Sequence, residues 1–161
     1  HMFDVDLDNG ESWRESAIYQ PGDRAVTVQM DDALLGVAIC YDLRFPDLFR
    51  RQALAGAEIL TAPAAFTRQT GEAHWHVLLR ARAIENGAFV VAAAQGGTHE
   101  DGRETYGHSM IVDPWGRIVA EKDDDEPGVL VADIDFDAVA EARRKVPNLK
   151  NIRPFNLVDA Q

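Results

Sequence analysis

An α/β fold built around a parallel strand-helix-strand crossover is what this sequence predicts, and three observations carry the expectation. Leu34 to Cys40 is an apolar run of strand length that ends on the only cysteine of the chain. Pro46 follows shortly after, in a place that suits the first turn of a helix, where proline's missing N–H costs nothing. Beyond that helix, Glu58 to Pro63 is a second apolar run bounded by turn residues. Strand, helix and strand in this order form a right-handed crossover with parallel strands, and functional loops gather at their carboxyl ends. Cys40 and the Pro63 to Thr70 loop are therefore expected to face one another.

The elements follow in order. His1 to Pro21 carries many acids and few aliphatics, with Asn9-Gly10 as a turn, and reads as a loop-rich approach. Pro21-Gly22-Asp23-Arg24 is a second turn. Ala25 to Gln29 alternates like a short strand, and Asp31-Asp32 closes a hairpin into the Cys40 strand. After Pro46, Leu48, Phe49, Gln52, Ala53 and Leu54 interleave with Asp47, Arg50 and Arg51, a helical pattern stopped by Gly56. Thr70-Gly71 opens the next helix, with Trp75, Leu78, Leu79 and Ala83 as its inner stripe, Arg80, Arg82 and Glu85 on the remainder, and Asn86-Gly87 as its stop. Ala88 to Ala94 is a wholly apolar strand and Gln95 to Arg103 a polar turn region. Ser109 to Asp113 and Arg117 to Glu121 make a hairpin around Pro114-Trp115-Gly116. Lys122 to Glu126 is a solvated charge run, Gly128 to Ile134 a last apolar strand and Phe136 to Lys145 a short helix. Pro147 to Gln161 is a tail with little periodicity, which packs on something or frays. With no repeat, low-complexity stretch or linker, residues 1–161 read as one α/β unit.

Composition bounds the function. A chain of 161 residues that is 46% hydrophobic is ordinary for one globular unit. A chain of that size buries about 70% of its unfolded surface. The formal charge of -11 repels phosphate backbones and anionic lipid, so neither nucleic acid nor a membrane is an expected partner. One cysteine excludes an internal disulfide, and no signal peptide or long apolar span is evident, which together suggest the cytoplasm.

Two readings compete for Cys40: a small buried hydrophobe, or a nucleophile placed at a strand end just before a helix N-terminus. A free thiol with a pKa of about 8.5 is only a few per cent thiolate near pH 7, and a helix N-terminus adds roughly 0.3–1 kcal/mol, less than one pKa unit. An activating base or cation must come from elsewhere, because the neighbouring Asp42 carboxylate holds the proton on. Glu15 by itself reads as a solvated charge, and Phe66 as either core or pocket wall. His74 and His76 are two apart and do not share a helical face, so they are no metal pair, and no metal or cofactor is expected. His99 and His108 read as loop and core residues.

Longer motifs add what periodicity cannot. Gly36-Val37-Ala38-Ile39-Cys40-Tyr41-Asp42-Leu43-Arg44-Phe45-Pro46 resembles the nucleophile motif of the nitrilase (carbon-nitrogen hydrolase) superfamily, and Glu15-Ser16 before Pro21-Gly22 resembles its glutamate-serine element. Thr70-Gly71-Glu72-Ala73-His74-Trp75, Arg80-Ala81-Arg82-Ala83-Ile84-Glu85-Asn86, Tyr106-Gly107-His108-Ser109 and Val112-Asp113-Pro114-Trp115-Gly116 resemble its amidase branch, which includes deaminated-glutathione amidase and omega-amidase. Asp133-Ile134-Asp135 and Arg153-Pro154 fit the end of that branch, so the likeness covers essentially the whole chain.

The resemblance implies a four-layer α-β-β-α sandwich, commonly paired in a dimer, with a glutamate, lysine and cysteine triad and a supporting second glutamate. Family members run longer at the N-terminus, where the base glutamate and the triad lysine lie, so this chain is expected to be the C-terminal portion of one domain. His1-Met2-Phe3-Asp4 matches the end of the lysine motif, or else His1-Met2 is a vector-derived dipeptide. Under the resemblance, the absent glutamate takes the thiol proton and Cys40 attacks the amide carbon. The absent lysine and the Tyr41 backbone N–H hold the oxyanion, ammonia leaves, and water hydrolyses the thioester. Glu15 matches the second glutamate. Arg44 would hold a substrate carboxylate, its alternative being an ion pair with Asp42 or Asp47, and Phe66 and Thr70 would form the opposite wall. The expected substrate is a small amide, and the expected partners are a second copy and the missing N-terminal segment. Other readings are N-carbamoyl amino acid hydrolysis, nitrile hydrolysis, or a non-catalytic interaction fragment.

Overall fold

The computed structural model describes residues 1–8 and 10–158. Its centre is a mixed sheet of six strands: β3 (Val26–Met30), β4 (Ala33–Val37), β5 (Ile59–Thr61), β6 (Phe89–Ala92), β9 (Ser109–Val112) and β10 (Ile118–Lys122), in the spatial order β10-β9-β6-β5-β4-β3. β4, β5 and β6 run parallel, joined by α1 (Pro46–Leu54) and α2 (Arg68–Asn86), which is the predicted crossover repeated once. β3 pairs antiparallel with β4 through the Asp31-Asp32 turn, and β9 and β10 add an antiparallel pair beside β6. Two small ribbons flank the sheet: β1 (Asp4–Asp6) with β2 (Ser12–Arg14), and β7 (Gly96–Thr98) with β8 (Glu104–Tyr106). The helix α3 (Asp137–Lys145) closes the order of elements.

Side chains alternate across the strands, so each sheet face gathers its own apolar set. On one face, Ala38, Leu60, Ala62, Val90, Ala92, Met110 and Val112 meet Phe49 of α1 and Trp75, Leu79 and Ala83 of α2, all buried. Gly36 belongs to this face because α1 comes close: a Cβ there would lie 2.8 Å from both Gln52 Oε1 and Leu60 Cδ2. The space is used by Gln52 Nε2, which donates to the carbonyls of Val26 and Val37 at 3.1 and 2.7 Å and ties α1 to β3 and β4. On the other face, Ala33, Ile59, Phe89 and Ile111 pack with Val139 of α3 and the partly buried Leu130, Ala132, Ile134 and Phe136. That cover stops short of β3, where Val26, Val28 and Met30 are 47%, 47% and 53% exposed opposite Val37, Leu35 and Ala33.

Five local expectations are corrected. Residues 128–134 form no sheet-paired strand; the alternation there reflects Leu130, Ala132 and Ile134 resting on the second face. α2 begins at Arg68 with Thr67 as its cap, whose Oγ1 accepts from the Thr70 N–H at 3.4 Å, and Gly71 sits under Tyr106, where a Cβ would fall 2.2 Å from the Tyr106 Cβ. The polar stretch 95–103 contributes β7, and the approach 1–21 contains β1, β2 and a short 3-10 turn at Glu15–Ala17. Arg82 is buried rather than on the outer face of its helix. In the tail, Asn148 Nδ2 donates to the Glu85 carbonyl at 2.6 Å, whereas Phe155, Leu157 and Val158 are 91%, 90% and 82% exposed. Asn9 of the expected Asn9-Gly10 turn and the last three residues of the tail lie outside the described residues. No helix among the described residues is long and apolar enough to cross a membrane.

Candidate active site

β4 ends at Val37, three residues before Cys40, and the chain then tightens into a 3-10 turn over Cys40–Arg44. Cys40 itself holds φ +48, a left-handed conformation uncommon for a residue with a Cβ. Such strain persists only where neighbours fix it, and here they do. The Cys40 N–H donates to the Pro63 carbonyl at 2.9 Å, and Asp42 Oδ2 accepts from the Ile39 N–H at 3.0 Å. From behind, the buried Arg82 of α2 donates to the Leu43 carbonyl through Nε and Nη2 at 3.0 and 2.6 Å, and its Nη1 bonds Glu85 at 2.8 Å. The turn is thereby pinned to both crossover helices' side of the sheet, at the carboxyl end of β4.

Two backbone N–H groups, those of Ala65 and Tyr41, donate to the Cys40 sulfur. Burial pushes the thiol above its ordinary range, the two donors pull it back, and the nearby Glu15 and Asp42 carboxylates push it up again. The net shift is upward, so the thiol is held in its protonated, weakly nucleophilic form. Among the described residues no side-chain base bonds to the sulfur.

Cys40, Glu15, Tyr41, Arg44, Phe66 and Thr70, the candidate site residues, come to this corner. Cys40, Tyr41, Arg44, Phe66 and Thr70 line one small cleft together with Phe3, Ala65 and Thr67, so the Pro63 to Thr70 loop does face the cysteine. Glu15 lines two wider depressions of about 870 and 950 Å³ that meet at Cys40, and its Oε2 accepts from the Phe3 N–H at 2.9 Å. Phe66 is both core and wall: 6% exposed, it packs on Trp75 with centroids 4.8 Å apart and lies 5.2 Å beneath the Arg44 guanidinium. Arg44 forms no ion pair with Asp42, Asp47 or any other carboxylate among the described residues; its Nη1 donates to His74 Nδ1 at 3.2 Å. Thr70 Oγ1 shares a 2.9 Å hydrogen bond with Thr67 Oγ1 at the mouth of α2. A guanidinium held edge-on by an imidazole and face-on by a phenyl ring keeps donors available for an anionic group.

Sequence reasoning passed over Arg82 and His74, which position the turn and Arg44 from one helix. Their signal lay in the 3.6-residue period: His74 and Arg82 fall near the stripe that carries Trp75, Leu79 and Ala83.

Known proteins resemble this chain in sequence and in fold. A deaminated glutathione amidase from a Synechocystis species is 45% identical over 153 residues, 94% of this chain and 56% of that protein. The crystal structure of the Caenorhabditis elegans NitFhit protein superposes with a TM-score of 0.87 at 43% identity, over 95% of this chain and 37% of that one. A variant of the amidase from Nesterenkonia sp., whose active-site cysteine carries acrylamide, superposes with a TM-score of 0.67 at 32% identity, over 83% of this chain and 52% of that one. The chain thus spans about half the length of the curated relatives it matches. Since the sequence pattern of the carbon-nitrogen hydrolases runs through residues 1–144, from the ribbon before Glu15 to α3, the chain belongs to the carbon-nitrogen hydrolase family.

Proposed function

We propose that Cys40 is the nucleophile of an amide hydrolase acting on small amides that carry a carboxylate, and that its base and its oxyanion cation come from residues beyond these 161. The supporting observation is the strained Cys40 turn with two N–H donors on the sulfur, set beside an Arg44 that no carboxylate among the described residues occupies. The base removes the thiol proton and the sulfur bonds to the amide carbon. The C–N bond breaks as the nitrogen takes a proton and leaves as ammonia or an amine, and water then cleaves the thioester to a carboxylate and the free thiol. The Tyr41 N–H, joined by that of Ala65, suits the developing oxyanion. Arg44 would pair bidentately with the substrate carboxylate, Phe66 and Thr70 would close the wall, and Glu15 would steady the missing cation. The deaminated glutathione amidases among the relatives suggest deaminated glutathione as the first substrate to assay.

The exposed apolar strip on β3 and β4 supports a four-layer α-β-β-α sandwich in the complete protein, with further strands laid on that strip. The exposed Phe155, Leu157 and Val158 support a homodimer or larger assembly; a monomer at micromolar concentration in sedimentation would contradict this.

Assays on the full-length protein test the proposal. Cys40→Ala is expected to lower amide turnover by about 10⁴-fold or more while leaving the fold. Arg44→Lys, which keeps the charge but loses the fork, is expected to weaken carboxylate-bearing amides by about tenfold more than neutral ones. Turnover retained by Cys40→Ala removes the nucleophile assignment, and equal losses for both substrate classes make Arg44 a structural residue.

A further inference from the structure

On the flank of α2, two imidazoles and a carboxylate from three separate elements converge on one point. His76 projects from α2, His108 from the turn between β8 and β9, and Glu121 from β10. His76 Nε2 lies 2.8 Å and His108 Nδ1 2.7 Å from the same Glu121 oxygen, Oε1. One ligand atom from each of the three lies within 4.8 Å of the others. We infer that His76, His108 and Glu121 form a binding site for a zinc-like transition-metal dication, with water completing its coordination.

Several features favour a metal over a purely hydrogen-bonded clamp. Both rings aim at the one Glu121 oxygen, which gathers two nitrogens and one oxygen within 4.8 Å of one another. No lysine or arginine pairs with Glu121 among the described residues, so no side-chain cation already holds its carboxylate. Two nitrogens and one oxygen suit zinc and its neighbours rather than calcium or magnesium, which take oxygen ligands. Bond lengths of about 2.0–2.1 Å place tetrahedral ligand atoms about 3.3 Å apart, so the two nitrogen–oxygen separations must open by about half an ångström. Side-chain exposures of 31%, 24% and 25% for His76, His108 and Glu121 leave room for water at the fourth position.

The site is also held in advance. His108 sits at φ +57, its carbonyl accepts from Trp75 Nε1–H at 2.8 Å, and Tyr106 stacks on its ring at 4.2 Å. In the hydrogen-bonded state His76 Nε2 and His108 Nδ1 point at the Glu121 carboxylate, and binding requires each of these nitrogens to present a lone pair to the cation. Protons compete with the cation as the pH falls.

Zinc(II) titration by calorimetry is the test, on full-length protein in a Cys40→Ala background so that the thiol cannot contribute a ligand. One equivalent is expected to bind with micromolar or tighter Kd, to weaken at least tenfold in His76→Gln and in His108→Gln, and to survive in His74→Ala and His99→Ala. Zinc at about a hundredfold over Kd is expected to raise the melting temperature by about 5 °C in the background protein and not in the two glutamine variants. Cobalt(II) in place of zinc should give the visible absorption of a four-coordinate site, lost in the same two variants. Absence of a bound equivalent, or an equivalent that persists unchanged in both glutamine variants, overturns the assignment and leaves a hydrogen-bonded clamp.

Discussion

The two faces of the central sheet differ more than any other pair of regions in the molecule. Beneath α1 and α2, Phe49, Trp75, Leu79, Leu60, Val90, Met110 and Val112 are essentially sealed from solvent. Across the same strands, α3 and the extended stretch before it cover β5, β6 and β9 but leave Val26, Val28, Met30 and Val37 between 36% and 53% exposed. Cys40 emerges where the finished face meets the unfinished one. The finished side supplies its geometry, through Arg82, Pro63 and the two N–H donors, and the electrostatics of that side leave it protonated. Under the proposed function, holding the nucleophile and activating it would be separate tasks, given to separate parts of the protein.

The sharpest way to break this comparison is to cut into each face in turn. Leu79→Ala, on the sealed face, is expected to cost about 2–5 kcal/mol in urea unfolding, both in residues 1–161 and in the full-length protein. Val28→Asp, on the open face, is expected to change the stability of residues 1–161 by less than about 0.5 kcal/mol. In the full-length protein the same change should cost about 1–3 kcal/mol or more, because a carboxylate is then buried. Equal and small effects in both contexts would mean that nothing covers β3.

A second cut tests whether α2 holds the cysteine turn. Arg82→Leu strands the Leu43 carbonyl and leaves Glu85 without its partner, a loss of about 3 kcal/mol. A loss below about 1 kcal/mol would show that the turn holds itself. A more local effect is expected of Gly36→Ala. Its Cβ must displace Gln52, for about 1–3 kcal/mol of overpacking, and the loss of the Gln52 bonds should loosen β3 first, visible as faster amide exchange at Val26 and Thr27.

The crossover was legible because buried parallel strands and amphipathic helices write distinct periods into the sequence, and Cys40, Arg44, Phe66 and Thr70 gathered as expected because parallel strands bring their following loops to one end. The start of α2 was misplaced because Thr67 and Thr70 are both good caps, and only the packing of Tyr106 over Gly71 decides between them. Residues 128–134 alternate as a strand does, yet the alternation came from lying on a sheet rather than from joining one. The His76, His108 and Glu121 cluster left no local signal, since its members stand 32 and 13 residues apart and meet only through the sheet order β10-β9-β6. Arg82 falls near the buried stripe of α2, but the Leu43 carbonyl it satisfies lies 39 residues away and leaves no mark beside it in the sequence.

The rate of Cys40 alkylation by iodoacetamide as a function of pH, in residues 1–161 and in the full-length protein, tests the central claim most directly. The account predicts a midpoint above the ordinary thiol range of about 8.5–9 in residues 1–161, where burial and the Glu15 and Asp42 charges favour the thiol. It predicts rapid alkylation already at neutral pH in the full-length protein, where the added base and cation reverse that preference. Coincident profiles for the two, or a thiolate in residues 1–161 at neutral pH, would contradict it.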